Sequence, residues 1–244
     1  MIRASSFNWS ELDRQTLSDI MYLAKNNIVN QQLPSTDFHK IITNHIKSYL
    51  PIRSRRFTDA KVEKSQVYIG GTYYSQYDFD RQKSIELCLA YNPKDRYITM
   101  TARRFRAFCS TFADTMLHEI IHMMQYRKRK FKEIPGYTST AERTKQRQEQ
   151  EYLGHWDEID AYSFNIACEL TDKFGKDQKQ IVNYLNENQF GKRRVHNSWR
   201  MYLKAFGHDH RHPIIKKVKK RVIHYLPKSH SYSKPFNQKE WIRR

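Results

Sequence analysis

The sequence predicts an α+β fold: a small sheet of three or four strands set between helices. Apolar residues recur at helical spacing before residue 52 and after residue 101. Only residues 52–101 are rich in aromatic and β-branched residues with alternating character. A long stretch after Thr101 then runs without a Gly or Pro to break it.

The elements follow in order. Residues 9–29 read as a helix capped by Ser10, with Leu12, Leu17, Ile20, Met21, Leu23 and Ala24 as its apolar stripe. Residues 36–49 read as a second helix, capped by Thr36 or Asp37 and stopped by Pro51. KSQVYIGGTYYSQY and SIELCLAYN are strand-like, and Asn92-Pro93-Lys94-Asp95 turns the chain into the short return strand RYITMT. Residues 103–129 form the long helix. Residues 138–151 are a solvated helix or a loop. Helices are expected over 156–172, near 176–188 and near 195–206. A last basic helix opens at His212-Pro213 and ends at Pro227, and residues 228–244 are a loose tail.

Hydrophobic residues make up 39% of the 244-residue chain and aromatics 14%, enough for a modest core and too aromatic for a disordered chain. The net charge is +19, and residues 190–244 hold 16 Lys and Arg against 2 Asp and Glu. Charge on that scale bears on partners rather than on fold, and points to a polyanion such as nucleic acid. Cys88, Cys109 and Cys168 form no CxxC pair, so a cysteine zinc site or redox motif is not indicated, and a reducing compartment fits best. The first residues lack the apolar segment of a signal peptide, and no apolar run is long enough to span a bilayer. A cytoplasmic location is the expectation.

Chemistry concentrates in His118-Glu119-Ile120-Ile121-His122. Residues four apart on a helix share a face, so both imidazoles can reach one ion, and Glu119 stands beside the position left for water. Apolar Phe112, Met116, Leu117, Ile120, Ile121, Met123 and Met124 surround the motif, and a metal would satisfy polar groups buried among them. The extended form HExxHxxGxxH is absent, since Gln125 and Lys128 occupy its Gly and last His positions. The third ligand must come from elsewhere. Glu158 is the first choice: it lies 36 residues after His122 and three before Ala161, a small residue that allows close helix approach. His155 and Asp160 are its rivals, and Asp157 and Asp160 also suit a helix N-terminus or a bond to a ligand imidazole. The cofactor indicated is Zn2+.

HEIIHMMQY followed by EIDAYSFNIACEL resembles the gluzincins, metallopeptidases that pair HExxH with a Glu on a later helix. More narrowly, Tyr152-Leu153 followed by Glu158-Ile159-Asp160-Ala161-Tyr162 is similar to a segment of small predicted metallopeptidases encoded by bacteriophages. The resemblance covers roughly residues 84–226. Asp160 departs from it, because Glu is common there. It implies a zincin-like fold, with a small mixed sheet packed on the HExxH helix, and a virion or host-cytoplasm setting. In that scheme Glu119 is the catalytic base of a zinc hydrolase, His118, His122 and Glu158 hold the metal, and Tyr152, His155 or Tyr162 helps the oxyanion. An extended peptide substrate would add to an open edge of Ile85–Tyr91 or of Arg96–Thr101.

The resulting organisation is an N-terminal helical segment (1–52), a metallopeptidase core (53–189) and a basic helical extension (190–244). The extension alternates apolar and basic pairs over Ile214–Ile223 and would meet phosphates without reading sequence. His208, His210 and His212 read as a surface loop rather than a metal site. The competing expectation is a basic nucleic-acid-binding or virion structural protein whose metal site is structural or vestigial.

Overall fold

A computed structural model describes residues 7–132, 144–187 and 197–226. The chain divides into two compact units between Phe131 and Lys132. The class is mixed α and β, as the apolar patterning predicts.

The first unit holds α1 (Arg14–Tyr22), β1 (Gln32–Pro34), α2 (Ser35–Tyr49), β2 (Arg53–Thr58), β3 (Val67–Tyr73), α3 (Ser75–Phe79), β4 (Ile85–Tyr91), β5 (Tyr97–Thr99) and α4 (Ala102–Lys128). Helix α1 is shorter than the span 9–29 predicts, because Asp13 is extended and its carboxylate accepts from the Thr16 N–H at 2.7 Å. The cap is therefore Asp13 rather than Ser10. Short 3-10 turns at Trp9–Glu11 and Lys25–Asn27 occupy the flanks. Helix α2 starts after Pro34 with no side-chain cap, so Thr36 and Asp37 lie inside its first turn. Thr101 caps α4, its hydroxyl accepting from the Arg104 N–H at 3.3 Å.

The sheet has three strands in the order β2-β4-β3, parallel between β2 and β4 and antiparallel between β4 and β3. It is a mixed sheet, and β3 and β4 pack on α4. Strand β4 is central, which corrects the expectation of an open edge at Ile85–Tyr91: the exposed edges of this sheet belong to β2 and β3. Its sequence is accordingly apolar apart from Glu86, with Ile85, Leu87, Leu89 and Tyr91 on one face and Cys88 and Ala90 on the other, all buried. Strand β5 does not return onto β4. It pairs antiparallel with β1, far earlier in the chain, in a separate two-stranded ribbon. The SQY end of the strand-like stretch opens the short helix α3 instead.

On its other side α4 receives α1. Leu17, Ile20 and Met21 are buried in the core with Phe105, Cys109, Phe112, Ala113 and Met116, and Arg14 makes two bonds to Asp114, at 2.6 and 3.1 Å. A helix covered on two sides needs apolar residues around most of its girth, which is how the sequence of α4 reads.

The second unit is helical: α5 (Lys145–Gly154), α6 (Trp156–Phe174), α7 (Gln178–Asn186), α8 (Asn197–Ala205) and α9 (Pro213–Tyr225). Its core gathers Leu153, Ile159, Ile166, Leu170, Leu185, Trp199, Tyr202, Leu203, Ile215, Val218 and Val222. Gly175, at φ +62°, ends α6 in a conformation that other residues rarely adopt. The expected tail over 228–244, residues 138–143 of the expected 138–151 segment, and Lys192 to Arg194 lie outside the described residues. Among the described residues no helix is long and apolar enough to cross a membrane.

Candidate metal centre

The long helix α4 carries the two imidazoles one turn apart. His118 and His122 have ring centroids 4.6 Å apart and nearly perpendicular planes, and their Nε2 atoms meet at 3.0 Å. That is hydrogen-bond distance between two ring nitrogens. A zinc ion at ~2.0–2.1 Å from each, in tetrahedral geometry, would set them about 3.3 Å apart, so an ion fits with a shift of a few tenths of an ångström. The other nitrogen of His122, Nδ1, lies 3.0 Å from Gln125 Oε1 and donates to it. That bond leaves the lone pair on Nε2 and fixes the ring plane, as a partner behind a ligand imidazole does. Gln125 fills the position where a longer histidine motif has Gly, and its role here is not legible from the motif.

Glu119 lies one residue round the helix, beside β3. A Cβ atom at Gly71 would stand 2.6 Å from Glu119 Cγ, 2.8 Å from its Oε1 and 2.9 Å from Thr115 Cγ2. The missing side chain on the strand is the space that the Glu119 side chain fills. Gly71 escaped the motif reading, although a Gly-Gly pair inside a strand signals close approach of another group. The strand is fastened there. Tyr73 donates to Asp78 Oδ2 at 3.1 Å, and Asp78 in turn accepts two bonds from Arg127 of α4, at 2.6 and 2.7 Å. Burial, then the charge of Asp78, pushes the Tyr73 hydroxyl well above its usual range, so it stays a donor.

Glu158 sits in the first turn of α6 and is 9% exposed. Tyr152 of α5 is hydrogen-bonded to both Glu158 and Tyr162, and its hydroxyl is pushed far upward, first by burial and then by the charge of Glu158. Tyr202 is raised for the same two reasons, and donates to the Leu153 carbonyl at 3.1 Å. The acid therefore stands among neutral phenols that serve as donors. Tyr152 and Tyr162, two of the three expected oxyanion donors, lie in this network.

The rivals of Glu158 are used differently. Asp160 accepts from Arg221 Nε and, at 2.6 Å, from the Tyr225 hydroxyl, which ties α6 to α9. His155 is the N-cap residue of α6, its carbonyl accepting from the Ile159 N–H at 2.9 Å. Among the described residues, one group of three His, Cys, Asp or Glu side chains can each offer a ligand atom within 4.8 Å of the others: His118, His122 and Glu158. His208, His210 and His212 form no such group. His212 instead caps α9, its Nδ1 accepting from the Ile214 N–H at 3.2 Å.

The group combines two imidazole nitrogens with a carboxylate, and among the described residues no fourth His, Cys, Asp or Glu joins it. That donor set suits a divalent ion of zinc type and keeps one position for water. No family model, curated protein or solved structure matches the chain.

Proposed function

We propose that this chain is a zinc-dependent metallopeptidase with a zincin-like core. The observation that carries the reading is the grouping of His118, His122 and Glu158 together with Glu119, a fourth polar side chain that the metal does not need for holding. His118 and His122 would bind through Nε2, and Glu158 through its carboxylate. A bound zinc would supply Lewis acidity and bring the pKa of a water towards neutrality.

The chain's own residues do the rest. Glu119 packs against Gly71, which bounds its carboxylate on the side of the strand. It accepts the proton of the attacking water and passes it to the nitrogen of the departing amine. Gln125 keeps the His122 ring oriented, and Tyr152 keeps the Glu158 carboxylate oriented. The edge strand β3 runs past Glu119, and an extended peptide lying along it would bring its carbonyl to that side chain.

The test is hydrolysis of unstructured protein and peptide substrates by the zinc-loaded chain. Activity that Glu119→Gln abolishes while zinc stays bound supports the reading. Activity that survives Glu119→Gln removes it.

A second reading has one observation in its favour. Helix α9 buries Ile215, Val218 and Val222 and exposes Lys216, Lys217 and Lys220, a cationic face without an acid. A basic, nucleic-acid-associated or virion structural protein with a structural or vestigial metal site would use that face. The two readings combine in a peptidase that works in the cytoplasm of a phage-infected host or in a virion, close to nucleic acid. They separate on Glu119, which only an enzyme needs.

A further inference from the structure

A second concavity lies in the first unit, away from the imidazoles. It has a volume of about 370 Å³. Its apolar walls come from β3 (Val67, Ile69), from Met100 and from Phe108 of α4, while Lys64 and Arg104 bring positive charge to it. No acidic side chain lines it.

The concavity and Glu119 lie along one face of α4, the face turned to β3. The residues of α4 that face β3 follow helical spacing: Phe108 and Thr111 line the concavity, and Thr115 and Glu119 meet Gly71. From Thr111 to Glu119 is eight residues of helix, a rise of about 12 Å. An extended peptide advances about 3.4 Å per residue, so that rise spans three to four of its residues.

The charge is held in place rather than carried on a loose side chain. Arg104 donates from Nη1 to the Thr99 carbonyl at 3.4 Å and from Nη2 to the Ser65 carbonyl, which fixes the guanidinium plane. Three further N–H donors remain on that group, enough for a two-point contact with a carboxylate. Two acids stand near this region: Glu63 accepts from Gln66 Nε2 at 2.5 Å, and Asp95 accepts from the Ser65 backbone N–H at 2.6 Å, and neither is part of the lining.

We propose that this concavity is a specificity subsite that takes an acidic side chain of the peptide substrate, three or four residues from the bond that is cut. The proposal rests on the peptidase reading above. The apolar walls hold the aliphatic part of a Glu side chain, and Lys64 with Arg104 meets its carboxylate. On a chain of such positive charge, a subsite of this kind selects acidic segments over basic ones by attraction and by repulsion together.

The test is cleavage of a degenerate peptide library by the zinc-loaded full chain, with the cut sites read by mass spectrometry. Enrichment of Glu or Asp at the third or fourth residue on one side of the bond supports the proposal. The Lys64→Glu variant leaves the Arg104 brace in place. It should lower kcat/KM for an acidic peptide about tenfold relative to a peptide with Gln at that position. Lys64→Glu with Arg104→Glu should turn the preference towards Lys and Arg. Cleavage by the wild type with no acidic preference overturns the subsite and leaves the peptidase reading standing. No cleavage of any peptide by zinc-loaded protein overturns both.

Discussion

Glu119 of the long helix occupies the space that Gly71 of the edge strand leaves empty. The Gly71→Ala variant puts a methyl group 2.6–2.8 Å from the Glu119 Cγ and Oε1 atoms, so the carboxylate must move. A displacement of about 1 Å at a reacting group can cost about 100-fold in rate. Gly71→Ala should therefore lose activity on that scale while keeping its zinc and its circular dichroism spectrum. Unchanged kcat would mean that Glu119 works from another position.

The Tyr152 hydroxyl is hydrogen-bonded to Glu158, and burial keeps it protonated. Partners behind a metal ligand typically carry about 10–100-fold in metal affinity. Tyr152→Phe should weaken zinc binding in that range in a chelator competition titration. A variant that binds zinc as the wild type does, yet loses kcat, would assign Tyr152 to the oxyanion instead.

Asp160 and Glu158 are two residues apart, and their tasks differ. Asp160 joins α6 to α9 through Arg221 and Tyr225. Asp160→Asn should lower stability by about 1.5–3 kcal/mol, the usual value of hydrogen bonds to a charged group, and keep one zinc per chain. Thermal unfolding with parallel metal analysis checks both halves of this statement. Loss of zinc without loss of stability would make Asp160 the ligand.

His39 gives the fold an acid sensitivity apart from the metal. Burial, followed by the charges of Arg56 and Lys47, holds its imidazole below the ordinary value of 6.5. Its buried Nδ1 meets no hydrogen-bond partner among the described residues. The folded protein thus prefers neutral His39, and the unfolded chain binds the proton more readily. This contribution to stability is complete above pH 6.5 and is lost as the pH falls through the lowered folded value. Denaturant midpoints at pH 7.5 and pH 5 should differ more in the wild type than in His39→Gln. Equal differences would show that His39 does not report on folding.

What could be read beforehand was local. The spacing of His118 and His122, the Thr101 start of α4 and the apolar stripes of α6 and α9 each depend on neighbours within a few turns. The nomination of Glu158 was made at that level too, from an acid and a small residue three apart on one helix. Pairings between distant segments were not legible. Nothing within Ile85–Tyr91 says that Arg53–Thr58 will lie parallel to it and make it a central strand, although its apolar run over Leu87–Tyr91 is what a strand covered on both faces requires. Nothing in Tyr97–Thr99 names Gln32–Pro34 as its partner. The Asp13 cap was missed because Ser10 also suits a helix start, and only the backbone path chooses between them. Gly71 and Gln125 matter through what stands opposite them, which a linear motif does not contain.

The central claim is that His118, His122 and Glu158 hold one ion, and metal content tests it most directly. Elemental analysis after zinc-replete purification should give one zinc per chain in the wild type and in Glu119→Gln. It should give none in folded His118→Ala and Glu158→Ala variants. Stoichiometric zinc retained in Glu158→Ala, or none in the wild type, would contradict the account.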